Sequence, residues 1–409
     1  MINVLINAYS VSPGKGSEPG MGWNWIINIA THCNVFVITE GEWKDSIDEA
    51  LQKLPQKNNI HFYYNPVPQK IRDMCWNQGD WRFYWYYRKW QKSTHKIALK
   101  IIAEHKIDVI HQLNMIGFRE PGYLWKIKDI PFIWGPVGGM GLVPVKYMEG
   151  EPLKNRVLAY VKNVLNVLQI RYSPRVRKAT RHSKVIISAF RETDEQIKAC
   201  HNKGTILINE TCTSFKDVPL RKERNDGTFR IMWVGRFIPT KKLELALRAL
   251  AYSKMSDYEF HICGSDINGS VEHYRAIARE LGINSHCVWH GKIDQSTVQT
   301  MMSESDLLFF TSIMEATSTV VLEAISSGLP VLSFNICGFG PLVSQFAGRT
   351  IELSEPRESI EAFARELLYL QLHRDELCTI SRDEISKAGS ISWEKKAEQI
   401  YDIYVSALK

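Results

Sequence analysis

At 409 residues, 44% hydrophobic and 23% charged, the chain has the composition of a folded globular protein too long for one hydrophobic core, which predicts two domains. The net charge of +7 is unevenly held: residues 1–200 carry 28 Lys and Arg against 17 Asp and Glu, and the remainder 23 against 27. That asymmetry suggests an anionic partner for the front half, a nucleic acid or an anionic membrane surface, although charge alone favours a plainly solvated face, and no recognition motif supports nucleic acid. The eight cysteines are scattered without a C-x-x-C spacing, which argues against a zinc site or a disulfide framework and for a reducing, cytoplasmic compartment. No run approaches the roughly 20 apolar residues of a membrane span, and the N-terminus reads as a buried strand rather than a secretory leader.

Short runs rich in Val, Ile and Phe alternate with helical patterns along the chain. In the front half they fall at 2–8, 34–39, 60–67, 107–113, 131–135 and 184–189; in the back half at 228–235, 259–264, 287–291, 306–311 and 330–335. Apolar runs that are continuous rather than alternating predict parallel strands covered on both faces, and their alternation with helices predicts doubly wound α/β units. The pattern restarts after the polar stretch KDVPLRKERNDG (216–227). The prediction is two Rossmann-like domains facing each other across a cleft, residues 1–215 and 216–385, with a closing helix over 386–409.

The first strand is followed by SPGKGSEPGMGW, which contains Gly14, Gly16, Gly20 and Gly22. The spacing is not G-x-G-x-x-G, so a nicotinamide or flavin fingerprint is not supported. Glycines between a strand and a helix still allow a ligand close to backbone N–H groups. Residues 76–90 are rich in Trp and Tyr interleaved with basic residues, and 153–178 open as an amphipathic helix with Val157, Leu158, Val161, Val164, Leu165 and Leu168 on one stripe and end in RYSPRVRK. Such segments suit either an anionic lipid surface or packing within their own domain.

The back half opens with MWVGRFIPTKK, where Arg236 follows a strand and its glycine and Lys241 enters a helix. Two cations at a strand's C-terminal end predict a diphosphate site. Farther on, DLLFFTSIMEATSTVVLEAISSGLP places Glu315 just after a strand. Ser318 or Thr319 caps a helix that contains Glu323 and stops near Gly328. The amides of residues 316–319 then lie between two carboxylates, an arrangement that offers acceptors for sugar hydroxyls and donors for phosphate.

These motifs in order (VGRFIPTK, HICG at 261–264, WHGKI at 289–293, and E-x7-E at 315–323 followed by EAISSGLPVL) resemble glycosyltransferase family 4, the glycosyltransferases group 1. The resemblance implies a GT-B fold and retaining, metal-independent transfer of a hexosyl-type sugar from a nucleotide-diphosphate donor, with no cofactor. The acceptor implied is a glycan or lipid-linked species of cell-surface polysaccharide synthesis at the inner face of the cytoplasmic membrane. It implies that Arg236 and Lys241 hold the diphosphate, that Glu315 contacts the donor sugar and Glu323 the ribose, and that Lys292 and Ile293 lie beside the nucleobase. Gly20 and Gly22 approach the donor from the other domain, and Ala316, Thr317, Ser318 and Thr319 line the sugar side. Where many members carry H-x-H, this chain reads HQL, so Leu113 replaces the second His; His111 and, on the acceptor side, Arg119 are the remaining candidates there. A non-catalytic GT-B nucleotide-binding partner and a sugar-nucleotide epimerase are the alternative readings.

Overall fold

The structure is a computed structural model that describes residues 1–77, 80–149, 153–212, 227–266, 269–315, 318–346 and 348–409. The predicted linker, apart from Gly227, lies outside these residues, as do the predicted site residues Ala316 and Thr317. Two compact units form. The first comprises Met1–Gly141, Val164–Thr211 and Trp393–Lys409, and the second Leu142–Asn163 and Cys212–Ser392.

The first unit is built on β1 (Ile2–Ala8), β2 (Cys33–Thr39), β3 (Ile60–Tyr64), β4 (Val109–Asn114), β5 (Phe132–Val137), β6 (Val185–Ser188) and β7 (Ile206–Leu207), in the order β3-β2-β1-β4-β5-β6-β7. Each neighbouring pair is parallel. Leu5, Ile38, Ile110, Phe132 and Trp134 join one buried cluster with residues of the covering helices, as the unbroken apolar runs require. The aromatic segment divides: Phe83, Tyr87 and Trp90 pack around Tyr9 in a buried cluster, whereas Trp81, Tyr84 and Trp85 are exposed. The C-terminal helix Trp393–Ala407 belongs to this unit. It is tied there by Lys396, which donates to the carbonyls of Asn209 and Thr211.

The second unit carries β8 (Phe229–Val234), β9 (Tyr258–Cys263), β10 (Cys287–Gly291), β11 (Leu307–Phe310), β12 (Val331–Phe334) and β13 (Arg349–Ile351), in the order β10-β9-β8-β11-β12-β13, again all parallel. Phe229, Ile231, Phe260, Leu308, Phe309 and Phe334 are fully buried in its core. Strand order reverses direction between β1 and β4 in one unit and between β8 and β11 in the other. Ligands of open α/β sheets bind beyond the carboxyl ends of strands at such switch points. In the second unit those ends lead to Arg236 and to Glu315.

Candidate functional site

The switch point of the second unit is assembled from two loops. After β8, Gly235 and Arg236 lead into a single helical turn, Pro239–Lys241. After β11, Thr311 and Ser312 lead to Glu315. The loops are joined by backbone and side chain. Ile313 N–H donates to the Thr240 carbonyl at 2.9 Å. The Thr311 hydroxyl is shared between the carbonyls of Lys241 (2.9 Å) and Lys242 (3.1 Å) and accepts the Trp233 indole N–H at 3.1 Å.

Held this way, the Lys241 ammonium forms an ion pair with Glu315. Both side chains are largely sheltered, 10% and 18% exposed, and the ammonium also lies 5.2 Å from the centre of the Phe310 ring, a cation–π contact. Arg236 is exposed, with no ion-pair partner among the described residues. Lys242, the neighbour of Lys241, has φ of +50°. The turn therefore demands the left-handed conformation that glycine adopts most easily.

Three strands of this unit end in glycine or are followed directly by one, and Gly264 shows why. A side chain on Gly264 would run into the carbonyl of Gly235. The strand ends are zipped together by Gly235 N–H to Cys263 O at 3.0 Å and Gly264 N–H to Gly291 O at 2.8 Å. Beyond them opens a cavity of about 340 Å³ lined by Phe237, Gly264, Trp289, Gly291 and Lys292 among others. Trp289, one of its lining residues, has an indole N–H that is buried with no acceptor among the described residues. Ile293 does not line this cavity; it packs against the core of the unit.

Glu323 lies in the helix Thr319–Ser326. Its carboxylate accepts from Gln295 Nε2 at 3.0 Å. Burial raises its pKa above the ordinary carboxylate value, and the Gln295 hydrogen bond opposes that rise. Gln295 opens the helix Gln295–Glu304, whose N-cap Asp294 accepts Thr297 N–H at 2.9 Å. Ser318 stands at the N-cap of the Glu323 helix, but its side chain makes no capping hydrogen bond, and Thr319 is the first helical residue. The helix stops where predicted, at Gly328 with φ of +62°.

The first unit changes the reading of four residues. Gly20 and Gly22 lie within the helix Ser17–Ile29 and are buried. A side chain at Gly20 would strike the Lys15 carbonyl, and one at Gly22 would come within 2.6 Å of the Ser10 carbonyl. Their lack of a side chain is thus used by the chain's own backbone, and the exposed loop glycines are Gly14 and Gly16.

His111 is a correction. It is fully buried in β4, with Nε2 2.7 Å from the Gly135 carbonyl and Nδ1 2.6 Å from the Tyr404 hydroxyl. A carbonyl only accepts, so Nε2 carries the proton and Nδ1 accepts from Tyr404. Burial pushes the imidazole pKa down to about 4. Both nitrogens are spent within the unit, and His111 is a structural residue rather than a catalytic one. Arg119 is likewise engaged: it donates to Gln169 Oε1 (2.7 Å) and Asn166 Oδ1 (2.6 Å) of the helix Leu153–Tyr172.

Phe237, Trp289, Gln295 and Thr311 are the contributors that the sequence reading did not assign. The recurring strand–glycine ending pointed toward the first two, since WHG and VGRF both flank it. Nothing in the local sequence pointed to Gln295 or Thr311.

The chain resembles known proteins in sequence and in fold. Residues 216–390 match the family model described as glycosyl transferases group 1. The chain is 23% identical, over 70% of its length and 76% of the relative's, to an uncharacterized 41.2 kDa protein in the cps region of Klebsiella pneumoniae. It is 25% identical to the lipopolysaccharide 1,6-galactosyltransferase of Escherichia coli over 43% of this chain and 56% of that protein. Among solved structures, the apo form of the lipopolysaccharide outer core galactosyltransferase WaaB aligns over 100% of this chain and 99% of its own, with a TM-score of 0.61 and 17% identity. Anabaena HepE in complex with UDP and glucose aligns over 99% and 100%, with a TM-score of 0.56 and 14% identity. The chain has the GT-B fold, and its residues 216–390, less than half of it, resemble the glycosyl transferases group 1 family.

Proposed function

We propose that this chain is a glycosyltransferase of cell-surface polysaccharide synthesis that moves a hexosyl-type sugar from a nucleoside-diphosphate donor to a glycan or lipid-linked acceptor. The observation that carries the reading is the sheltered Lys241–Glu315 ion pair at the switch point of the second unit, with exposed Arg236 five residues before Lys241 on the same connection. A diphosphate leaving group develops charge as the sugar departs, and fixed cations in a sheltered site stabilise that charge best. In this reading the ammonium of Lys241 turns from Glu315 to the diphosphate when donor arrives. The carboxylate of Glu315 is released to accept from sugar hydroxyls. Glu323 accepts from the ribose, and the cavity walled by Phe237, Trp289 and Lys292 takes the nucleobase. The amides at the start of the Thr319–Ser326 helix face the phosphate side.

Retention of anomeric configuration, independence from metal and a working place at the cytoplasmic membrane face are part of the same proposal, supported by the family motifs rather than by a measured geometry. The relatives of this chain include the named lipopolysaccharide galactosyltransferase, and HepE was solved with UDP and glucose; these support a sugar nucleotide as donor. A non-catalytic partner subunit would have no need of a paired Lys and Glu at the switch point. The test is transfer of labelled sugar from a panel of sugar nucleotides to lipid-linked and oligosaccharide acceptors, with proton NMR of the product's anomeric signal. Transfer lost in Lys241→Ala at unchanged folding supports the reading; undiminished transfer refutes the assignment of the site.

A further inference from the structure

The strand β10 lies at one end of the second unit's sheet and, among the described residues, pairs on one side only, with β9. That pairing is interrupted. Val288 and Trp289 oppose His261 and Ile262, but the residue opposite Cys263 is Gly291, so His290 has no counterpart in the ladder. Such a bulge frees one residue and re-aims its side chain. The His290 ring turns onto His261 of β9. The two rings lie 5.3 Å apart at an angle of 15°, and His290 Nε2 is 3.0 Å from His261 Nδ1.

The protons of this pair can be counted. His261 Nε2 lies 3.2 Å from Glu259 Oε2, and a carboxylate only accepts, so Nε2 carries a proton. Nδ1 of a neutral His261 is then an acceptor, and His290 Nε2–H donates to it. One added proton is tolerated: a cationic His290 still donates through Nε2, and a cationic His261 donates to a neutral His290. A second added proton is not. Both facing nitrogens then carry hydrogen, the bond is lost and two cations oppose each other.

The surroundings do not offset that second charge. Glu259 also accepts from Arg230 of β8 at 3.3 Å, and Glu304, at the end of the helix Gln295–Glu304, lines a cavity with Arg230, Glu259 and His261. Lys292 follows β10, and Arg275 of the helix Val271–Glu280 lies 5.6 Å from the centre of a Trp289 ring. His286, just before β10, is stacked on Tyr258 and hydrogen-bonded to its carbonyl. Three fixed cations therefore stand against two carboxylates. Burial, and then the neighbouring His261, hold the His290 imidazole below the ordinary histidine value.

The position of the bond gives it a consequence. It crosses from β10 to β9 where the ladder is interrupted, and residues 289–292 line the cavity of about 340 Å³.

We infer that His261 and His290 are positioning residues of that cavity: their hydrogen bond fixes the end of β10 while the pair holds at most one added proton, and a second proton releases it. The effect on donor binding rests on the nucleobase reading proposed above; the hold on β10 does not.

Amide hydrogen exchange of the full chain without nucleotide reads the strand, and calorimetric titration with UDP, GDP and ADP reads the cavity, each at pH 7.5 and pH 5.5. In the wild type, protection of the β10 amides is expected to fall about threefold or more on acidification, and nucleoside diphosphate affinity with it. Glu323 and the diphosphate titrate as well, so the deciding comparison is with His290→Gln. A glutamine amide can donate or accept and so keeps the bond in either state of His261. This variant is expected to match the wild type at pH 7.5 and to lose the acid-induced fall in β10 protection, with the corresponding part of the fall in affinity. His261→Leu offers no partner atom and is expected to show the loosened β10 at both pH values. Wild-type β10 protection that ignores pH, or an undiminished fall in His290→Gln, overturns the inference. So does a nucleoside diphosphate whose affinity ratio between wild type and His290→Gln is the same at both pH values. The expected exchange behaviour with none of the three nucleotides bound at pH 7.5 upholds the hold on β10 and refutes the nucleobase reading.

Discussion

The hydroxyl of Thr311 lies 2.9 Å from the carbonyl oxygen of Lys241, and this buried hydrogen bond joins the loop that delivers Glu315 to the turn that delivers Lys241. Neither strand end alone makes a donor site. Thr311→Val keeps the shape but strands the Trp233 indole N–H and the Lys241 carbonyl. The expected cost is about 1–3 kcal/mol of stability, read by denaturant melts, together with a fall in kcat/KM from misplacement of Lys241. A variant of wild-type stability and turnover would show that the bond does not position the site.

Breaking the ion pair from its two sides has different results. Glu315→Ala leaves the Lys241 ammonium sheltered without its partner, and a stability loss of about 1–3 kcal/mol is expected, below the cost for a fully buried pair because both groups keep some exposure. A nucleoside diphosphate supplies a replacement anion, so it should raise the Tm of Glu315→Ala by more than that of the wild type at equal ligand concentration. Lys241→Met removes the cation and should show little or no such rise. Thermal shift with UDP, GDP and ADP reads both outcomes.

In the proposed reading, Glu323 and Gln295 act on the nucleoside side. Removing a carboxylate that accepts from ribose hydroxyls costs about 1.5–3 kcal/mol, or about tenfold or more in donor affinity. Glu323→Ala should therefore raise KM for the donor with a smaller change in kcat. Gln295→Ala removes the hydrogen bond that opposes the burial-driven rise in the Glu323 pKa, so the carboxyl holds its proton to higher pH. Donor affinity of Gln295→Ala should fall at acidic pH while matching the wild type more closely at alkaline pH.

His111 makes a prediction about folding and none about chemistry. Its native pKa of about 4 lies below the ordinary histidine value, so the native state favours the neutral ring and the unfolded chain binds the extra proton between about pH 6.5 and 4. The stability it contributes is complete above pH 6.5 and is lost as pH falls toward 4. The loss reaches about 3 kcal/mol, and His111→Gln should remove that part of the pH dependence. Urea melts at pH 7.5 and 4.5 give the comparison. A change in the pH–rate profile of His111→Gln without a change in stability would return the residue to the catalytic site.

The proposed metal independence predicts that transfer persists in EDTA, because in that reading Lys241 and Arg236 supply the positive charge that the diphosphate needs. Loss of transfer in EDTA and recovery with a divalent cation would remove that part of the proposal.

Much of the proposed donor site could be read from the sequence because its residues sit at strand ends. Apolar runs locate β8 and β11, and whatever follows them emerges at the carboxyl edge of the sheet, so Arg236, Lys241 and Glu315 could be placed without knowing any loop conformation. Contacts between distant loops could not be read: the Thr311–Lys241 and Gln295–Glu323 hydrogen bonds depend on where two connections meet. The glycines after β1 misled for a related reason. A glycine spared for a ligand and one spared for the chain's own backbone look identical in sequence, and the close approaches to Lys15 and Ser10 show that Gly20 and Gly22 are of the second kind. The strands Ile206–Leu207 and Arg349–Ile351 escaped notice because two or three partly exposed residues carry no periodic signal. The apolar stripe of Leu153–Tyr172 could be read, but not that it stays exposed. Periodicity locates a stripe, and what decides its direction is the backbone waiting on the other side for Asn163 and Asn166.

Isothermal titration with UDP, GDP and ADP tests the central claim most directly, comparing the wild type with Lys241→Ala and Arg236→Ala. The account predicts that at least one nucleoside diphosphate saturates the wild type, and that each variant binds it about tenfold or more weakly while melting as a folded protein. Wild-type affinity in Lys241→Ala, or no binding of any of the three by the wild type, would contradict it.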